Sequence, residues 1–125
     1  MLHGYKKQFG EKGEQEAVNY LRKHGYEIIE RNFRLRNGEI DIIAIDGSVK
    51  PPTLVFVEVK TRFSDEYGDP LEAITYYKLQ ALQRTAIFYQ IKHPKLPQLM
   101  RLDAVAVTLD HDGNLIDLRL IKNIS

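Results

Sequence analysis

Charges stand in this chain where strands seldom carry them. In the run 54–61, LVFVEVKT, Glu58 and Lys60 lie two residues apart, and in the run 39–45, EIDIIAI, Asp41 interrupts an apolar stretch. Interior strands rarely hold charges that nothing pairs or uses. Two carboxylates brought close need a cation between them, or one must keep its proton. A hard divalent cation such as Mg²⁺ meets that need with one or two protein carboxylates and several waters. Glu14 is a third acid to consider, because it falls at the centre of a helical apolar stripe made by Ala17, Val18 and Leu21.

The elements that must position these residues follow from periodicity. Residues 54–61 alternate as a strand, with Leu54, Phe56, Glu58 and Lys60 on one face and Val55, Val57 and Val59 on the other. Residues 39–45 form a second strand, with Glu39, Asp41, Ile43 and Ile45 on one face and Ile40, Ile42 and Ala44 on the other. The link DGSVKPPT is dense in turn residues and predicts a hairpin. A register with Asp41 opposite Glu58 puts Asp46 opposite Thr53, leaves 47–52 as the loop, and sets Glu39 opposite Lys60. Opposed Cβ atoms are roughly 4.5–5.5 Å apart, so like charges there are destabilising. The plainer alternative is a solvated sheet end where Glu39 and Lys60 pair and Asp41 faces water.

Before these strands, residues 12–24 read as an amphipathic helix stopped by Gly25. Glu14 would then stand in its first turn, where a carboxylate favours the helix dipole. Residues 26–33 are a first strand, and RLRNG turns the chain, with Arg31, Arg34 and Arg36 close together. They suit a solvated hairpin or an edge that contacts phosphate. Residues 62–70 are a polar loop. The next helix starts at Asp69-Pro70 with Glu72 completing a capping box, or later at Thr75, and ends at His93-Pro94. Leu79, Leu82, Ala86 and Tyr89 form its buried stripe, flanked by Lys78, either a solvated lysine or one that reaches a phosphate. Residues 100–109 are apolar enough for a covered central strand, in which Asp103 caps a loop, supports the site from outside or, as the favoured reading, pairs with Arg101 or Arg62. DHDGN turns into a last strand, 115–121. His3, His24, His93 and His111 share no ligand spacing.

Composition bounds the rest. A chain of 125 residues with 43% hydrophobic content reads as one domain, 1–125. A net charge of +1 confines any nucleic-acid binding to a local patch. The absence of cysteine excludes disulfides, thiolate metal sites and a cysteine nucleophile. No window reaches the ~18 apolar residues of a membrane span, and MLHGYKKQFG lacks a signal-peptide core. A cytoplasmic protein without a membrane partner is expected.

The order helix, three-strand meander, helix, strand, strand, with acids on the first helix and second strand and Glu-x-Lys on the third, resembles the restriction-endonuclease-like, or PD-(D/E)XK, nuclease superfamily. The pieces GEQEAVNYL (13–21), GYEIIERNFR (25–34), GEIDIIA (38–44), VFVEVKTR (55–62), GDP with EAITYYK (68–78) and RLDAVAV (101–107) are similar to the YraN-like family of uncharacterised bacterial proteins, uncharacterised protein family 0102. The resemblance implies an α/β fold, a mixed central sheet in the order αβββαβ plus a C-terminal strand, flanked by helices. It implies that Asp41 and Glu58 hold Mg²⁺ or Mn²⁺, with the Val59 carbonyl and Glu14 as further ligands, and that Lys60 orients the attacking water and offsets phosphate charge. Catalytic residues would be Glu14, Asp41, Glu58 and Lys60, and nucleic-acid contacts Arg34, Arg36, Arg62 and Lys78. The acid set also resembles archaeal-type Holliday-junction resolvases, which implies DNA, branched DNA included, as substrate and a homodimer for symmetric cutting. The alternative is a module that kept the scaffold, binds nucleic acid without hydrolysis, and serves a repair, recombination or uptake complex.

Overall fold

The structure, a computed structural model, describes residues 2–125, with side chains from Lys7 onward; His3 lies outside the described side chains. Helix α1 runs Leu2–Lys23, followed by strands β1 (Tyr26–Leu35), β2 (Gly38–Asp46) and β3 (Thr53–Phe63). A short 3-10 helix, Pro70–Ala73, precedes α2 (Tyr76–Lys92), and β4 (Met100–Leu109) and β5 (Leu115–Ile121) complete the chain. The five strands lie in sequence order in one sheet; β3 and β4 are parallel and the other neighbours antiparallel. A parallel pair needs a crossover, and α2 supplies it. This is the α/β fold with a mixed five-stranded sheet and two flanking helices that the sequence implied.

Two apolar layers explain why β3 is buried from Thr53 to Glu58. On one face, Ala17, Val18 and Leu21 of α1 pack on Ile42, Ala44, Val55, Val57, Val105 and Val107. On the other, Leu82, Ala86 and Tyr89 of α2 pack on Ile40, Ile43, Leu54, Phe56 and Leu102. A sheet covered on both faces requires apolar residues at odd and even positions alike.

The chain departs from the expected elements in two places. Helix α1 begins ten residues before Lys12. The second helix takes the later of its two possible starts: Thr75 caps α2 through the Lys78 amide, whereas Asp69 caps only a separate 3-10 helix through the Leu71 amide. Thr85 joins the buried side of α2, its hydroxyl donating to the Ala81 carbonyl at 2.8 Å. Among the described residues, no helix is long and apolar enough to cross a membrane.

Candidate active site at the open end of the sheet

The hairpin register between β2 and β3 is the one the loop composition dictated: Asp46 pairs with Thr53, and the ladder continues to Ile42 opposite Val57. There it stops. One residue further, the Asp41 carboxylate accepts the backbone N–H of Val59 at 2.7 Å. The distortion opposite this point is in β1, whose ladder with β2 passes from Arg31–Ile42 to Phe33–Ile40, and Asn32 between them has φ 54°. Asparagine tolerates that left-handed conformation better than other side chains. Ile40 and Ile43 consequently join the α2 layer, while Ile42 and Ala44 join the α1 layer. This corrects the simple alternation: Asp41 does not share the Ile43 face, and instead lines a cleft with Glu14 of α1. The cross-strand pair Glu39–Lys60 is also absent, since Glu39 pairs with Arg34 at 3.5 Å and Lys60 with Glu58 at 3.5 Å.

Glu14 is brought to Asp41 by a close approach of α1 to β3. A Cβ on Gly13 would lie 1.9 Å from the Thr61 hydroxyl oxygen and 2.8 Å from Thr61 Cβ, so only glycine fits. Far from the first turn, Glu14 sits mid-helix, and the helix-dipole account of it is overturned. Its side chain, 13% exposed, accepts from Arg31 Nε at 3.0 Å and Asn32 Nδ2 at 3.1 Å. Neither partner was singled out by the sequence for this role. The signal for Asn32 was an asparagine inside a strand, where that residue is depleted.

Glu58 is buried, and its Oε1 holds two ammonium groups: Lys60 at 3.5 Å and Lys78, from the first turn of α2, at 2.9 Å. Lys78, 38% exposed, thus pairs with Glu58 while its side chain remains partly in solvent. Burial, and then the adjacent Lys78, hold the Lys60 ammonium below the ordinary lysine range, against the pull of Glu58. Asp41 moves the other way. Burial, and then the Glu58 charge, push its carboxyl up to about 7, with Glu14 adding to the rise and the Val59 amide opposing it. The part of that rise due to the Glu58 and Glu14 charges is what a nearby cation would relieve. Among the described residues, no three Asp, Glu, His or Cys side chains converge closely enough to hold a metal by themselves. A hard cation such as Mg²⁺ ordinarily takes one or two protein carboxylates and keeps several waters, so it does not require a third.

The cleft, about 790 Å³, is bordered by Lys7, Arg31, Arg34 and Lys60 as well as Glu14 and Asp41. Arg36 lies exposed in the turn after β1, outside the cleft lining. Arg62 lines a separate cleft with Arg119; its Nη1 donates to the Gly68 carbonyl, and its buried Nε has no partner among the described residues. Asp103 is bound by Arg101, as expected, and belongs to a network at the other end of the sheet.

Comparison with known proteins is consistent across the chain. The profile of the Uncharacterised protein family UPF0102 matches residues 13–107. A UPF0102 protein of Caldicellulosiruptor saccharolyticus is 44% identical over 118 residues, 94% of this chain and 97% of the relative. One from Symbiobacterium thermophilum is 49% identical over 114 residues, 91% and 92% of the two chains. One from Clostridium acetobutylicum is 41% identical over 122 residues, 98% and 97%.

Proposed function

The chain belongs to the uncharacterised protein family UPF0102, and from that premise we propose that it is a metal-dependent nuclease that hydrolyses phosphodiester bonds in DNA. The observation that carries the reading is one constellation: two coupled carboxylates, Asp41 and Glu58, with a lysine of lowered pKa, where β2 and β3 part. Perturbed groups of opposite sign beside a cleft are what hydrolytic chemistry needs.

In this reading Asp41 and Glu58 hold Mg²⁺ or Mn²⁺, with the Val59 carbonyl and Glu14 as further donors, directly or through water. The bound ion would lower the pKa of a water and stabilise charge on the phosphorane-like transition state. Lys60, less firmly protonated than an ordinary lysine, orients that water and offsets phosphate charge. Lys78 holds the Glu58 carboxylate in place from α2, and Arg31 with Asn32 hold Glu14 toward the cleft. Arg34, which lines the cleft, is the phosphate contact of a positioning kind, which carries no sequence information, while Arg36 and Arg62 could meet phosphate only beyond the cleft. Branched DNA is the substrate the resolvase resemblance favours, and symmetric cutting of it would take two copies.

A second reading, a nucleic-acid-binding module without hydrolysis, is favoured by one observation: Glu14 and Glu58 already face protein cations. Calorimetric titration with Mn²⁺ separates the two. The nuclease reading expects one saturable site, lost in Asp41→Asn/Glu58→Gln, and Mn²⁺-dependent cleavage lost in Asp41→Ala and in Lys60→Ala. Cleavage that survives both single substitutions comes from a contaminant and sinks it. The binding module instead expects a salt-sensitive affinity that persists after Lys60→Ala, without turnover.

A further inference from the structure

Lys7, Gly10 and Glu14 stand three or four residues apart, so they share one side of α1, and all three line the cleft. Gly10 is interior to the helix, where glycine is less stable than alanine. Packing does not ask for it: a Cβ there would meet no atom within 4 Å, whereas Gly13, three residues on, is pressed against Thr61. The side chain that Gly10 lacks leaves room in the cleft and not in the core. Glycine in such a place lets another backbone come close.

Lys7 adds charge to the same wall. It is exposed and, among the described residues, has no ion-pair partner. The other cations that line the cleft are engaged, Arg31 with Glu14, Arg34 with Glu39 and Lys60 with Glu58. From Lys7 to Glu14 the helix rises about 10 Å, or about three nucleotide steps along one strand of B-form DNA. A phosphate met by Lys7 is therefore not the one beside Asp41, but one farther along the strand. Glu11 also lines the cleft and would repel phosphate, yet as the neighbour of Gly10 it points about 100° away from it around the helix. A strand passing on the Gly10 side avoids it. We propose that the first half of α1 is one wall of a groove for the sugar–phosphate backbone of a nucleic-acid strand, which lies against Gly10 with Lys7 on a phosphate beyond the reacting one and Arg34 on the β1 side. The inference rests on the nucleic-acid reading above and states how that site takes its strand.

Fluorescence anisotropy of the full chain in Ca²⁺, with a labelled forked DNA that offers duplex and unpaired strand together, tests it. Gly10→Leu should melt no lower than wild type, because leucine favours helix and open space receives it, yet it should lose most of the DNA affinity. Lys7→Gln should weaken binding roughly five- to ten-fold at 0.1 M salt and lower the slope of log affinity against log salt by about one, whereas Lys7→Arg should keep both. A Gly10→Leu protein that binds as wild type does overturns the groove. So does one that melts lower, since Gly10 would then be packed. A Lys7→Gln protein with an unchanged salt slope shows that no phosphate reaches Lys7, and overturns it too. Wild type that does not bind the forked DNA overturns the nucleic-acid reading itself, whereas binding that ignores both substitutions overturns this inference alone.

Discussion

The Asp41 carboxyl, pushed from 3.8 to about 7 by burial and by its acidic neighbours, links the cleft to pH. Between about pH 4 and pH 7 the folded chain keeps a proton there that the unfolded chain has shed. Rising pH then favours unfolding through this window, and the full penalty stands above pH 7. A shift of that size corresponds to at most ~4 kcal/mol. Asp41→Asn keeps an acceptor for the Val59 amide and removes the charge, so without divalent ions its stability relative to wild type should climb from pH 4 to pH 8. Thermal melts across that range measure the difference; a gap that stays constant with pH would mean that Asp41 titrates normally. The same proton competes with a metal, so Mn²⁺ affinity of the wild type should rise as pH passes through about 7. At this scale the sequence exposed Asp41, Glu58 and Lys60 because charge in an apolar strand is visible in one dimension. It hid Arg31, Asn32 and Lys78 as partners, because each reaches its carboxylate only through a kink or a helix docked by the fold.

Helix α1 carries its own internal comparison. Gly10 has open space where a Cβ would go, whereas a Cβ on Gly13 would meet Thr61. Replacing a helix-interior glycine by alanine ordinarily adds roughly 0.5–1 kcal/mol, and Gly10→Ala should gain about that. Gly13→Ala should instead lose roughly 1–3 kcal/mol, the typical result of forcing atoms into a packed contact, and should weaken Mn²⁺ binding by moving Glu14 off the cleft. Thr61→Ala removes the two closest atoms, so the double variant should recover much of the loss; chemical denaturation of the four proteins measures the coupling. A stabilised Gly13→Ala would show that α1 does not press on β3. The strands, most boundaries and the hairpin register were legible because two-residue periodicity and turn residues are local signals. The first turns of α1 were not, since Gly4, Gly10 and the missing cap argue against helix. What supports that stretch is tertiary, as where Phe9 lies on Phe63 with ring centroids 4.1 Å apart.

Across the whole molecule the sheet has one splayed end and one clamped end, about five strand residues or ~17 Å apart. At the clamped end Arg101 holds two fully buried acids, with Nη2 2.8 Å from Asp46 Oδ2 and Nε 2.8 Å from Asp103 Oδ1. Tyr26 donates to Asp103 at 3.3 Å, and the Asn123 amide ties the C-terminal segment to it at 3.0 Å. Burial alone would raise the Asp46 carboxyl, but hydrogen bonds from Ser48 and Arg101 outweigh it and bring the pKa to about 2. That contribution to stability is full above the unfolded value of 3.8 and is lost as pH falls through about 2. Arg101→Met would leave buried Asp103 without its cation and Asp46 with Lys122 alone, 3.8 Å away, a change that should cost at most about 3–5 kcal/mol. The deficit against wild type should be largest near neutrality and shrink as Asp46 protonates in acid. Because the clamp lies far from Asp41, Mn²⁺ affinity below the variant's melting temperature should stay within about two-fold of wild type, as expected for distant, independent sites. Denaturant titrations at several pH values, paired with calorimetry, measure both quantities on one sample. A variant that loses metal affinity while fully folded would show that the clamped end sets the geometry of the open one.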